Sequence, residues 1–464
     1  MLTLVRLAVA GNAPLSADEA YYWVWSRALA PGYLDHPPMV ALWIWAGTAL
    51  VGDGALGVRL LGQVSGLVGA WLLVQTGQDL FGDRRRGLIA ALLLNATLLL
   101  GIGTVTMTPD TPLIFFWTLA LFGLARLLVS GNGIWWLLIG VACGLALDSK
   151  YTAILLPVGI LIWLIWVPSL RIWLRRLGPW VAAGLALLLF GPVLDWNGRH
   201  DWVSLIKQGG RTGDFQIGRA AQFLGELLLG QFGLATPVIA ALFAIAMMRL
   251  PRDAAGRLLA CLIWLPALVF VQHAFGDRVQ ANWPAIMFPA LALAASGIAP
   301  RWHIPGAALG FGLCALVWVQ ATLAPLPLPM RADPTLLRLG GWQTLATAVD
   351  AAREREAADF VVSDNYGHAA LLGRLSPGAV LGLEPRWALF DLPDARAGIV
   401  GKTGILLRSA RRDDRLDMSD WSEAREIGRL DRARDGMVAE SFVLYRVVGR
   451  AGATPIAEMP HLRH

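Results

Sequence analysis

Charge and cysteine are both scarce in this chain of 464 residues. Only 16% of it is Asp, Glu, Lys or Arg and three residues are Cys, while 56% is hydrophobic and the mean hydropathy is +0.56. A soluble fold of this length needs far more charge on its surface, so the composition points to a polytopic membrane protein. Cys143, Cys261 and Cys314 sit far apart in apolar runs, which excludes a disulfide framework and a cysteine metal site and leaves them to packing. No nucleotide-cradling glycine loop and no secretory signal pattern can be read. Leu2 to Ala10 is apolar for only about nine residues, far short of the roughly 20 that span a bilayer. The expectation is a start codon further upstream that completes a first span.

The few charges are unevenly spread. Residues 1–329 carry 20 basic and 14 acidic side chains, whereas residues 330–464 carry 19 of each. The composition therefore divides the chain into a membrane domain, 1–329, and a soluble domain, 330–464, beginning after the Pro-rich Ala324–Pro329. The net charge of +6 belongs to the membrane part and is not read as nucleic-acid affinity. Ten apolar stretches between residues 58 and 323, with a short one at 40–51, predict about 10–11 spans. Arg84 to Arg86, Arg126, Arg171, Arg175, Arg176, Arg249, Arg252, Arg257 and Arg301 fall in every second connection. Those connections are expected to be cytoplasmic by the positive-inside rule. The unusual polar residues then all face outward, and so does the tail.

The outward loop 14–38 is the richest of these connections. Asp18 and Glu19 are adjacent, Asp35 precedes His36, and Tyr21, Tyr22, Trp23, Trp25 and Tyr33 are interleaved with them. Carboxylates among aromatic rings suit a sugar site, although Ser16 with Glu19 also reads as a capping box. Further along stand Asp110 in a Thr-Pro-Asp-Thr-Pro turn, where it could simply cap a helix, and Lys150 with Tyr151. The loop 195–219 holds His200, Lys207, Gln208, Gly210, Arg211 and Asp214, and Arg278 lies just before another span. Lys150 could snorkel to the interface, but Lys150 and Arg278 at outward helix ends also suit a phosphate.

Four of these stretches occur in a telling order: Asp18-Glu19-Ala20-Tyr21-Tyr22-Trp23, Tyr33-Leu34-Asp35-His36-Pro37-Pro38, Thr108-Pro109-Asp110 and Ser149-Lys150-Tyr151. Together they resemble bacterial family 39 glycosyltransferases, the group related to protein O-mannosyltransferases and the lipid A aminoarabinose transferase. The resemblance covers about residues 14–300. It implies a GT-C fold, a polyprenyl-phosphate sugar donor, an extracytoplasmic lipid, glycan or protein acceptor, and inversion at the anomeric carbon. It maps the catalytic carboxylate to Asp18, with Glu19 beside it. Asp35 and His36 match a position tied to a divalent metal or to the donor phosphate. Lys150 and Arg278 are then expected on that phosphate, with Asp110, Tyr21, Tyr22 and Tyr151 positioning substrate. The implied place is the bacterial inner membrane, with the site and the tail outside.

Two other classes compete. A transporter would carry ionisable groups at mid-membrane, and the spans hold few, chiefly Asp79 and Glu226 near helix ends. A non-catalytic envelope scaffold would use the tail as its binding module. In that tail the pattern predicts a helix over 336–355, a strand over 360–363, a short helix over 366–372, and strands over 404–408 and 441–448. The Arg411-Arg412-Asp413-Asp414-Arg415 run reads as a solvated loop.

Overall fold

The computed structural model describes residues 1–209, 217–412 and 414–462. Gly210, Arg211, Asp214 and Asp413 lie outside the described residues. Two compact units emerge. The first comprises residues 1–6, 31–40 and 61–316, and the second comprises 7–30, 41–60 and 317–464.

Apolar helices dominate the chain. Among the described residues five are long and apolar enough to cross a membrane: Ala55–Phe81, Asp110–Ser130, Leu177–Arg199, Ala254–Ala274 and Pro300–Thr322. Two further runs are bent. Tyr151–Trp166 turns by 116° into Pro168–Arg175, and Gly218–Ala235 turns by 113° into Pro237–Met248. Each bend falls at a proline, which lacks the amide hydrogen that would continue the ladder and readily opens a new helix. Leu2–Asn12, Met39–Val51, Trp135–Leu147 and Trp283–Ala295 are apolar but shorter. Apolar run length alone thus overstated continuity. The stretch 87–104, for example, is interrupted where Thr97 caps a new helix through Leu100 N.

Within the first unit, small residues let helices approach closely. A Cβ on Gly140 would lie 2.6 Å from the Ala182 backbone, and one on Gly144 would lie 3.0 Å from Ala186 Cα. This four-residue spacing of glycines seats Trp135–Leu147 on Leu177–Arg199, the form of packing expected where solvent cannot drive association.

The C-terminal part of the second unit contains a six-stranded mixed sheet of order β4-β5-β3-β1-β2-β6. The strands are β1 Phe360–Ser363, β2 Val380–Leu383, β3 Thr403–Ser409, β4 Trp421–Arg434, β5 Met437–Gly449 and β6 Ile456–Glu458. β1 runs parallel to β2 and β3, and the remaining pairs are antiparallel. Phe360, Val362, Leu381, Leu406, Trp421 and Val447 form its core. Asp435 and Gly436, both at positive φ, close the β4–β5 hairpin in the manner favoured for tight turns. The single helix expected over 336–355 is instead Pro334–Leu339 followed by Trp342–Arg355. Gly341 separates them at φ 78°, with no room for a Cβ against Ala433. The buried Arg432 guanidinium donates to the carbonyls of Leu336, Leu337 and Gly340, capping the first of these helices.

Candidate active site

In the first unit, the loop 31–40 is threaded past the Leu177–Arg199 helix at Gly32. Any Cβ there would meet the Trp196 ring at 2.7 Å. Its far end is tied down by Met39 N donating to Asp148 O at 3.0 Å. That bond sets Asp35 and His36 beside the corner where Trp135–Leu147 ends and Lys150 follows. Lys150 Nζ donates to Asp110 Oδ1 at 2.8 Å, and Asn282 Nδ2 donates to Asp110 Oδ2 at 2.5 Å. Lys150 and Asp110 are only 5% and 7% exposed, and the ammonium also lies 5.9 Å from the centre of the Trp283 ring. With both oxygens engaged, Asp110 orients Lys150 and is poorly placed to accept a further proton.

A second lysine reaches the same loop. Lys207 Nζ is 2.6 Å from Asp35 Oδ1, and Gln208 Nε2 donates to Asp35 O at 2.7 Å. The helix Val203–Gly209 that carries them is held by Ser204 Oγ, 2.8 Å from the Tyr151 hydroxyl, and by Asn197 Oδ1, which accepts from Leu205 N. Asn197 Nδ2 also donates to the Tyr151 hydroxyl at 3.2 Å. His36 sits in the combined field of these groups. Burial and the Lys150 charge outweigh Asp35 and Asp110 and hold its pKa at about 4, so the ring is neutral near pH 7. Burial alone pushes the Asp148 carboxyl up to about 7, and its Oδ1 has no hydrogen-bond partner among the described residues.

In the second unit, two consecutive carboxylates have separate roles because neighbouring helical positions point about 100° apart. Glu19 turns inward and is fully buried. Its Oε2 accepts from Ser16 N at 3.0 Å, and Ser16 Oγ accepts from Glu19 N, closing the capping box. Arg59, also fully buried, donates Nε to Glu19 Oε1 at 2.6 Å and Nη2 to Oε2 at 2.8 Å. Its remaining hydrogens go to the carbonyls of Ala10, Ala13 and Pro14. Asp18 turns outward, with its side chain 43% exposed and Oδ2 3.6 Å from Arg338 Nη1. Tyr21 is buried among Tyr22, Trp25, Tyr366, Trp387 and Phe390, and its hydroxyl accepts from Arg386 Nη1 at 3.1 Å.

The expected site residues are thus distributed. Asp35, His36, Asp110, Lys150 and Tyr151 gather in one region of the first unit. Arg278 belongs to that unit too, but its Nε pairs with Glu226 at 2.5 Å and the side chain is 62% exposed. Asp18, Glu19, Tyr21 and Tyr22 belong to the second unit. Lys207, Asn282, Asn197 and Arg59 join these networks without having been singled out from the sequence as site residues. Nothing local marks them, since the bonds that tie them to Glu19, Tyr151, Asp35 and Asp110 each reach at least 40 positions along the chain. A metal does not fit. Among the described residues no group of three or more His, Cys, Asp or Glu stands together, and Asp35 is already engaged by Lys207.

Comparison with known proteins places this arrangement. The family model for dolichyl-phosphate-mannose-protein mannosyltransferase matches residues 35–196, the segment holding Asp35, His36, Asp110, Lys150 and Tyr151. The lipid A galacturonosyltransferase RgtD of Rhizobium johnstonii is 28% identical over 360 residues, 75% of either chain. The chain is a glycosyltransferase of the GT-C fold, related to protein O-mannosyltransferases and to ArnT. The solved structure of ArnT from Cupriavidus metallidurans bound to undecaprenyl phosphate superposes with a TM-score of 0.62. It covers 96% of both chains at 14% identity, so that likeness speaks for the fold. An undecaprenyl phosphate-α-4-amino-4-deoxy-L-arabinose arabinosyl transferase of Pseudomonas fluorescens is 30% identical over 177 residues. That match covers 36% of this chain and 29% of the relative. This glycosyltransferase is a multi-pass membrane enzyme of the group that draws on lipid-linked sugars, a fold class whose transfer typically inverts the anomeric carbon.

Proposed function

We propose that the enzyme moves a sugar from polyprenyl phosphate to a lipid acceptor, at the extracytoplasmic surface of the bacterial inner membrane. The observation that carries the reading is the Asp110–Lys150–Asn282 and Asp35–Lys207 network within a unit of apolar helices. Two ammonium groups and a neutral His36 meet in a low-dielectric setting that favours an anionic lipid head group. RgtD acts on lipid A and the ArnT structure holds undecaprenyl phosphate, and both names support this pairing of donor and acceptor.

The chemistry is a single displacement. The acceptor hydroxyl oxygen bonds to the anomeric carbon as the carbon–oxygen bond to phosphate breaks, and the polyprenyl phosphate leaves with the electron pair. Lys150, Lys207 and His36 hold the phosphate, with Asp110 and Asp35 orienting the two lysines. Arg278, on the surface, meets the donor as it arrives. Asp18 takes the acceptor proton, and Glu19 with Arg59 fixes the turn that presents it. Tyr21, Tyr22 and Tyr151 shape the sugar-binding surroundings. Residues 1–329 form the transferase domain and residues 330–464 the outer domain.

The test is transfer by the purified full chain from a panel of undecaprenyl-phosphate sugars, including galacturonic acid and 4-amino-arabinose, to lipid A. One glycosylated lipid product of inverted configuration is expected. Binding of the donor with no transfer to any lipid, and transfer to a peptide or glycan instead, would overturn the acceptor class. Sidedness has its own check. A cysteine at Glu423 should be labelled by an impermeant maleimide in spheroplasts and one at Arg85 should not, and the reverse pattern would refute the orientation.

A further inference from the structure

We infer that an open depression in the first unit, lined by Arg249 and Arg301, is a binding site for the phosphate of an anionic membrane phospholipid. The depression measures about 440 Å³ and is lined by Ile245, Arg249, Gly297, Ile298, Ala299, Pro300 and Arg301. It lies where the helices Pro237–Met248 and Trp283–Ala295 end and Pro300–Thr322 begins. Asn282 and Trp283, which touch Asp110 and Lys150, stand at the other end of Trp283–Ala295. At 1.5 Å per residue, the depression is about 20 Å along that helix from the donor-phosphate network. It is a separate place with its own chemistry.

Orientation of the chain in the bilayer explains arginines in a basic connection by itself, but Arg249 and Arg301 have a further feature. These two converge on one concavity, and among the described residues no carboxylate pairs with either. A third guanidinium forms part of the surroundings. Arg86 Nε donates to Ser296 Oγ at 3.2 Å, and the Arg86 Nη2 lies where a Cβ on Gly297 would meet it at 2.9 Å. Asp83 and Asp253 offset part of that charge. Glycine at 297 therefore lets the Arg86 guanidinium lie against the chain there. Apolar residues next to or near the lining arginines in the chain are exposed: Met248 is 75% accessible, Ile304 69% and Trp302 47%. An indole beside arginines, at the end of apolar helices, is the arrangement of a membrane interface. Basic recesses between such helices take the head groups of anionic lipids. The acyl chains would run along Ile245, Met248 and Ile304 while the phosphate meets the two guanidinium groups.

The probes are phosphatidylglycerol, phosphatidylethanolamine and inorganic phosphate, offered to the full chain in detergent. Native mass spectrometry reads retained lipid, and thermal melting reads protection. The wild type is expected to retain phosphatidylglycerol over phosphatidylethanolamine. The double variant R249Q/R301Q should lose that retention on the order of tenfold to thirtyfold, while R249K/R301K keeps much of it. The variant K150Q, altered at the donor network, should retain phosphatidylglycerol as the wild type does. No preference for phosphatidylglycerol in the wild type would overturn the inference whatever the variants do. Equal retention in R249Q/R301Q, or equal protection by inorganic phosphate alone, would do the same.

Discussion

Lys150 Nζ and Asp110 Oδ1 lie 2.8 Å apart, both nearly excluded from solvent, and Asn282 occupies the other Asp110 oxygen. Breaking such a pair leaves an uncompensated buried charge, which costs about 3–5 kcal/mol. Lys150→Gln is therefore expected to lower the melting temperature as well as donor affinity. The double variant Asp110→Asn/Lys150→Gln should recover most of the stability and none of the affinity for undecaprenyl phosphate. Calorimetry and donor titration on the same three proteins separate the two effects. Full recovery of donor binding in the double variant would remove Lys150 from the phosphate site.

Lys207 gives a cleaner test of donor binding, because it is partly exposed and its loss leaves the half-buried Asp35 in contact with water. Lys207→Gln should weaken undecaprenyl-phosphate binding roughly 5- to 30-fold, the worth of one charge-assisted hydrogen bond of about 1–2 kcal/mol. Melting should move little. Equal donor affinity in Lys207→Gln and the wild type would exclude it.

His36 and Asp148 make opposite contributions to stability as pH changes. His36 titrates at about 4 in the folded chain against about 6.5 in the unfolded one. The unfolded state thus binds the extra proton between those values. Its contribution is complete above pH 6.5 and is lost as pH falls towards 4. Asp148 titrates at about 7 when folded and near 3.9 when unfolded, so it destabilises increasingly as pH rises from 4 to 7. Asp148→Asn should therefore stabilise the protein by roughly 1–4 kcal/mol at pH 8 and hardly at all at pH 4. His36→Gln should lessen the loss of stability between pH 6.5 and 5. Denaturation curves at pH 4, 5, 6.5 and 8 decide both.

Arg59 and Glu19 predict a different phenotype from Asp18. The pair is fully buried and carries the capping box and three loop carbonyls. Arg59→Met should destabilise by about 3–5 kcal/mol, and Glu19→Gln by somewhat less because the amide keeps part of the network. Neither loss should depend on substrate. An unchanged melting temperature in Arg59→Met would contradict the assigned role.

Much of this was legible in the residues. The strand Phe360–Ser363 was placed with its observed bounds, and the Ser16–Glu19 capping box was read from spacing alone, because both are local patterns. The expected strand over 404–408 is β3 less one residue at each end, and that over 441–448 is the C-terminal part of β5. β4 was not seen, because its side chains are mostly exposed and rich in Glu and Arg, so no alternation of apolar residues announces it. β6 is only three residues long, and β2, no longer than β1, has Gly382 where β1 has the β-branched Val362, so neither carries a strand signal as strong as Phe360-Val361-Val362. The site followed the same rule. Asp110 and Lys150 stand 40 positions apart, as do Glu19 and Arg59, and Lys207 reaches Asp35 across 172. Sidedness could group the first pair on one face, but only tertiary packing shows which cation meets which carboxylate.

Asp18 carries the central claim, and one comparison tests it most directly. Single-turnover transfer from an undecaprenyl-phosphate sugar to lipid A would be measured for the wild type and Asp18→Asn, with donor affinity measured in parallel. The substitution keeps the size of the half-exposed side chain and removes its basicity. The rate is expected to fall by about 10²–10⁴ while donor affinity and melting temperature stay within twofold and a degree or two. A variant that transfers sugar at the wild-type rate would contradict the account, and would move the proton acceptor away from the Ala17–Arg27 helix.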